Sequence, residues 1–151
     1  MKNKIPQKIY DKYFKFAFVR NPYDWLTSLY YYILEHPEHY LHHRILGQSF
    51  EKYIDIQINE NNLNTQFAYL SDESGQLIVD YIAKIENIQN ELHTITERLN
   101  IPFEKLSYLN KTKGRQGKND QLFNDSIYKL VNQHFRVDFE NFNYPMIGAD
   151  S

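Results

Sequence analysis

The sequence predicts an α/β domain, and three observations carry that expectation. Phe16-Ala-Phe-Val19 is a short apolar run of aromatic and β-branched residues, the pattern of a strand buried on both faces. It leads directly into Leu26, Leu29, Tyr30 and Ile33, an apolar stripe at helical spacing. Two more helical stripes, at 88–99 and 127–135, follow a second β-like stretch at 67–83. With 151 residues, 42% of them hydrophobic, the chain is long enough for one globular domain, 1–151, with a real core.

The elements follow from local chemistry. Residues 1–12 are polar and lysine-rich and read as a loop or a frayed lead-in. After the strand, Asn21-Pro22 is a helix start: Asn accepts from free backbone N–H groups, and proline at the first helical position sacrifices no hydrogen bond. Asp24 suits the positive end of the helix dipole, and the helix is expected to run through Leu34. Pro37 then breaks any continuous helix. Ser49 begins a short helix with Phe50, Tyr53 and Ile54 on one side. Residues 67–70 and 77–83 flank Ser71-Asp-Glu-Ser-Gly-Gln76 and read as a β-hairpin. Asn87 caps a helix with a buried stripe of Ile88, Leu92, Ile95 and Leu99, ending at Asn100 before Ile101-Pro102. Asn124 or Asp125 caps the last helix, on which Ile127, Leu130, Val131, His134 and Phe135 fall at core spacing, with His134 read as a packed, hydrogen-bonded histidine.

Composition excludes several classes. A net charge of −2 gives no electrostatic case for nucleic acid. The absence of cysteine excludes a disulfide framework and thiol chemistry, and it fits a reducing compartment. No apolar stretch approaches a membrane span, and the polar start lacks the apolar core of a signal peptide. The expectation is a soluble, cytoplasmic protein.

Three groups of residues carry chemistry. Arg20 sits where the strand ends and the helix begins, and Ser28 lies two turns into that helix on the face of Asp24. Ligands of open α/β sheets collect beyond the carboxyl ends of the strands. Arg20 and Ser28 therefore read as an anion grip, a charged planar donor fork with a neutral hydroxyl; the competing reading is a surface arginine paired with Asp24. Glu35-His-Pro-Glu-His-Tyr-Leu-His-His-Arg44 holds four of the six histidines. It reads as a metal site through His39 and His43, as an acceptor-side loop, or as a plain solvated loop. Leu109-Asn-Lys-Thr-Lys-Gly-Arg-Gln-Gly-Lys118 is basic and contains glycine. It reads as a solvated charge run or as a lid in which Lys113 and Arg115 reach phosphates.

The stretch Phe16-Ala-Phe-Val-Arg-Asn-Pro-Tyr-Asp-Trp-Leu-Thr-Ser-Leu-Tyr30 resembles the 3′-phosphate-binding motif of sulfotransferases that use 3′-phosphoadenosine 5′-phosphosulfate (PAPS), of the carbohydrate/membrane-type branch. Tyr81-Ile-Ala-Lys-Ile-Glu-Asn-Ile88 is similar to that family's Val-Gly-Arg-Phe/Tyr-Glu-Asn/Asp-Leu signature, with Ile85 at the aromatic position. Asn110-Lys111-Thr112 resembles its Asn-x-Ser/Thr, and Phe139-Glu-Asn-Phe-Asn-Tyr144 its closing Phe-Asp/Glu-x-Phe-Gly-Tyr, with Asn143 in place of Gly.

The resemblance implies a P-loop-NTPase-like fold with a parallel sheet flanked by helices and a β-hairpin. It implies sulfonate transfer from PAPS to an acceptor hydroxyl or amine, with 3′,5′-ADP as product and no metal. Arg20 and Ser28 would hold the 3′-phosphate, with Lys113 and Arg115 as further nucleotide contacts. The family's earlier strand and 5′-phosphosulfate loop have no counterpart in the first dozen residues. The sheet is thus expected to be N-terminally incomplete and the chain inactive alone. Expected partners are the nucleotide sulfonate donor, a carbohydrate acceptor, and a second copy of the chain or a separate N-terminal piece. The competing function is a non-catalytic remnant or subunit that pairs through an exposed sheet edge. The catalytic base is not selected by the sequence.

Overall fold

The computed structural model describes residues 6–60, 63–105 and 119–148. The chain forms two compact units, Met1–Val19 with Leu70–Ser107 and Arg20–Tyr69 with Tyr108–Ser151.

The first unit is built on two parallel strands, β1 (Phe16–Val19) and β2 (Tyr81–Lys84), in register Phe16 to Tyr81 through Val19 to Lys84. A one-turn helix, α1 (Gln7–Tyr10), precedes them, and the Tyr10 hydroxyl donates to the Ile78 carbonyl at 2.8 Å. The Lys15 ammonium meets the Asp80 carboxylate at 2.8 Å, and the Lys15 carbonyl accepts from the N–H groups of Asp80 and Tyr81. A 3-10 turn, Ile85–Asn87, leads from β2 into α6 (Ile88–Leu99), which packs on β2. The Arg98 guanidinium lies 4.4 Å from the Tyr81 ring centre and 5.5 Å from that of Phe14. These are cation–π distances.

Several expectations need correcting here. The strand at 16–19 is not buried on both faces: only Val19 is buried and Phe16 is 39% exposed. Among the described residues β1 has a single sheet neighbour, so less of it is covered. The hairpin across 67–83 is replaced by something else. Residues 67–70 belong to a helix, α5 (Gln66–Leu70), and β2 pairs in parallel with β1. The intervening turn does form, closed by an antiparallel bridge between Ser71 and Leu77. Asp72 Oδ1 accepts from the N–H groups of Ser74 and Gln76, and Gly75 adopts φ +80°. Asn87 makes no capping bond; its Oδ1 accepts from the Asn90 side chain instead. Of the expected stripe on α6 only Ile95 is buried, and Leu99 is 39% exposed.

The second unit is helical in its described residues. It comprises α2 (Pro22–Glu35), α3 (His42–Ile45), α4 (Phe50–Asp55) with a π-helical turn at Ile56–Glu60, all but the last residue of α5, then α7 (Asn119–Leu122), α8 (Asp125–His134) and α9 (Arg136–Asn141). Three expected caps are present. Asn21 accepts from Tyr23 N–H at 3.0 Å, Ser49 from Lys52 N–H at 3.1 Å, and Asn124 from Ile127 N–H at 2.9 Å. The core is aromatic. Tyr23 packs edge-on against Phe123 and Tyr128 and tilted against Phe139, while its hydroxyl donates to Asn132 and accepts from Ile147 N–H at 2.9 Å. Asn143 stands at φ +52°, which accounts for the glycine that the resemblance places there.

Candidate functional site

The site begins where β1 gives way to α2. Val19 is buried at the strand end, Arg20 follows, and Asn21 already caps the helix. The side chain of Arg20 leaves the chain just before the N-terminal end of α2, where unsatisfied N–H groups favour negative charge. Asp24 occupies the first turn.

Arg20 is held by its own backbone. Its N–H donates to Gln66 Oε1 at 2.9 Å, and its carbonyl accepts from Gln66 Nε2 at 2.8 Å. One primary amide thus closes both main-chain bonds of Arg20. Gln66 is fixed in turn by Asp138, which is fully buried on α9. The two carboxylate oxygens accept from Gln66 N–H at 2.8 Å and Phe67 N–H at 2.7 Å. Together with the Thr65 hydroxyl, which accepts from Ala68 N–H at 3.1 Å, they satisfy the start of α5. Burial pushes the Asp138 carboxyl above its ordinary value, opposed by the N–H groups of Phe67 and Gln66 that favour the charged form.

The guanidinium is in a different state from the backbone. Its Nε is buried and has no hydrogen-bond partner. Among the described residues it makes no salt bridge, so the expected alternative of an Arg20–Asp24 pair is absent. A buried, cationic donor without an acceptor is costly, and an anionic ligand would supply what is lacking. Ser28 lies in the second turn of α2, partly exposed. No hydrogen bond joins it to Arg20. Lys113 and Arg115 lie outside the described residues.

Two surface hollows are found elsewhere. One of about 440 Å³ is lined by Ser49, Glu51, Lys52, Ile54, Asp55, Ser126, Ile127 and Leu130. The other, about 350 Å³, is lined by Ile58, Asn59, Leu130, Gln133 and His134. Neither includes Arg20 or Ser28.

Three histidines of the histidine-rich loop turn Nδ1 to the backbone. Nδ1 of His36 and His42 lie 2.7 and 2.8 Å from the carbonyls of Tyr32 and Ile33, and His39 Nδ1 accepts from Leu41 N–H at 3.2 Å. Among the described residues no cluster of three or more metal-ligating side chains occurs. His134 Nε2 lies 2.7 Å from the Leu63 carbonyl, a satisfied, packed histidine.

Sequence reasoning missed Gln66 and Asp138. The signal for Asp138 was present: Phe135, Phe139 and Phe142 mark a buried helical face, and Asp138 sits on that same face at i+3. A lone carboxylate at a core position requires dedicated donors. Gln66 carries no such mark.

A profile described as the sulfotransferase family matches residues 1–145. The chain belongs to the sulfotransferase family. Its mixed helix–strand architecture with a small parallel sheet is consistent with that family's α/β fold, and membership implies sulfonate transfer from a nucleotide donor to an acceptor. Searches of curated proteins and of solved structures return no match. Among the described residues no helix is long and apolar enough to cross a membrane.

Proposed function

We propose that the donor is PAPS, held at its 3′-phosphate by Arg20 and Ser28 and further along the nucleotide by Lys113 and Arg115, in a P-loop-NTPase-like domain. In the reaction the acceptor oxygen or nitrogen forms a bond to sulfur as the sulfur–oxygen bond to the donor phosphate breaks. The acceptor proton passes to a base, and 3′,5′-ADP leaves. The observation that carries this reading is the buried, unpartnered Nε of Arg20 at the entry to α2. Arg20 and Ser28 anchor and orient the nucleotide at a distance from the reacting sulfur. Bond-making depends on donors around the 5′-phosphosulfate, and one such donor is worth about 2.7–4 kcal/mol. Arg20 and Ser28 supply none of those donors, so these two residues are expected to account for nucleotide binding and not for the transfer step.

The test compares two nucleotides by thermal unfolding. 3′,5′-ADP should raise the midpoint more than 5′-ADP, which lacks the 3′-phosphate and binds more weakly; at a hundredfold excess over Kd the stabilisation by 3′,5′-ADP is about 2.7 kcal/mol. Arg20→Ala should abolish the difference. Equal shifts with both nucleotides, or none, would sink the proposal.

One observation favours a second reading, a non-catalytic subunit that pairs through its sheet. Among the described residues β1 and β2 have only each other as neighbours, and Tyr13 just before β1 and Phe16 at its start are 65% and 39% exposed. Concentration-dependent sedimentation would support it; a monomer at all concentrations would remove it.

A further inference from the structure

We infer that Gln66 and Asp138 are positioning residues for nucleotide recognition: Asp138 fixes the main chain of Gln66, and the Gln66 amide fixes the main chain of Arg20, so that selectivity for the 3′-phosphate depends on both. This rests on the proposed role of Arg20 and adds to it the part of the fold that aims the guanidinium.

The argument is geometric. Arg20 lies between a strand and a capped helix, in neither regular ladder, so its N–H and carbonyl need partners from elsewhere. A primary amide presents a carbonyl acceptor and an NH₂ donor side by side, and Gln66 turns both to Arg20, at 2.9 and 2.8 Å. Two bonds to one residue fix both position and rotation of its peptide groups, whereas one would leave a hinge. Gln66 has a long side chain that loses rotamer freedom in this role, so its own backbone must be held firmly. The buried carboxylate does that through the adjoining N–H groups of Gln66 and Phe67, at 2.8 and 2.7 Å. Charge-assisted bonds of this kind are stronger than neutral ones. Nothing in helix α5 itself requires a side chain at Gln66 that reaches back to Arg20. A helix start needs only the N–H acceptors that Asp138 and Thr65 already supply.

The experiment measures Kd for 3′,5′-ADP and for 5′-ADP by calorimetry on the full chain. Gln66→Met keeps length and bulk but removes both polar atoms. Loss of two hydrogen bonds predicts about a tenfold weaker grip on 3′,5′-ADP, with 5′-ADP binding unchanged. A residue that merely supported the fold would weaken both nucleotides alike, so the ratio is the deciding quantity. In the Arg20→Ala background, Gln66→Met should change the ratio no further, because Gln66 acts through Arg20. If the Met variant does not fold, Gln66→Glu takes its place: it keeps the acceptor for Arg20 N–H, loses the donor to the carbonyl, and should lower the ratio severalfold. Asp138→Asn should also lower it. A wild-type ratio near one removes the nucleotide reading and this inference with it. A high wild-type ratio that Gln66→Met and Gln66→Glu leave intact overturns this inference alone.

Discussion

Tyr53 is fully buried and donates its phenol proton to the Leu26 carbonyl at 3.0 Å, tying α4 to α2. Burial pushes the phenol well above its ordinary value of 10.0, with the Gln57 side chain opposing. A raised folded-state value means that the contribution to stability is complete below the unfolded value and is lost as pH climbs through the folded one. Tyr53→Phe should therefore destabilise by about 1 kcal/mol at neutral pH, the net worth of one hydrogen bond. The gap between wild type and variant should narrow above pH 10, because the variant has no phenol to ionise. Urea unfolding at neutral pH and above pH 10 checks both statements, and a gap that widens with pH contradicts the second. Arg20 and Asp138 are the other residues where single atoms decide: one a buried cation donor without an acceptor, the other a buried carboxylate with two dedicated donors.

At the scale of elements, caps explain where helices begin, and α5 shows how a cap overrides pattern. Phe67-Ala-Tyr-Leu70 carries strand-forming aromatics, yet Asp138 and Thr65 satisfy the free N–H groups at its start and it folds as a helix. For α2 the cap is Asn21, and it sits beside Arg20. Asn21→Ala should cost about 1 kcal/mol of stability, measured as a lowered midpoint in chemical denaturation. It should also weaken 3′,5′-ADP binding more than Asn124→Ala, which uncaps α8 far from Arg20 in sequence. Equal effects on binding would separate the cap of α2 from the site. The left-handed residue Asn100 ends α6 at φ +52°, the conformation for which asparagine and glycine are suited.

For the whole molecule, each unit carries its own ion pairs, Lys15 with Asp80 in the first and Lys52 with Asp55 and Glu60 in the second. Lys15 holds the Asp80 carboxyl below its ordinary value of 3.8; Asn59 and then Lys52 do so for Asp55; Lys52 and then Arg44 do so for Glu60 against 4.5. A depressed acid contributes stability that is present above its unfolded value and lost as pH falls through the folded one. Asp138 has the opposite sign, its contribution being retained in acid and lost as pH rises. The expected outcome is a modest fall in melting temperature below pH 4.5, smaller at high salt, because the three pairs are solvent-exposed and screened. A melting temperature that rises steadily into acid would mean that Asp138 outweighs them.

What the sequence by itself determined is local: the strand into Arg20, the caps at Asn21, Ser49 and Asn124, the turn about Asp72, and enough motif to place the chain in its family. Each of these signals acts within a turn or two of chain, where residue type and spacing are sufficient. The helical state of 67–70, the parallel pairing of β2 with β1 and the hold on Arg20 were decided only by tertiary structure. Gln66 lies 46 residues from Arg20, and Asp138 lies 72 residues from Gln66. A glutamine in a polar stretch looks the same whether it faces water or clamps a peptide. Only the packing of α9, which buries a charge and obliges it to find donors, made the difference.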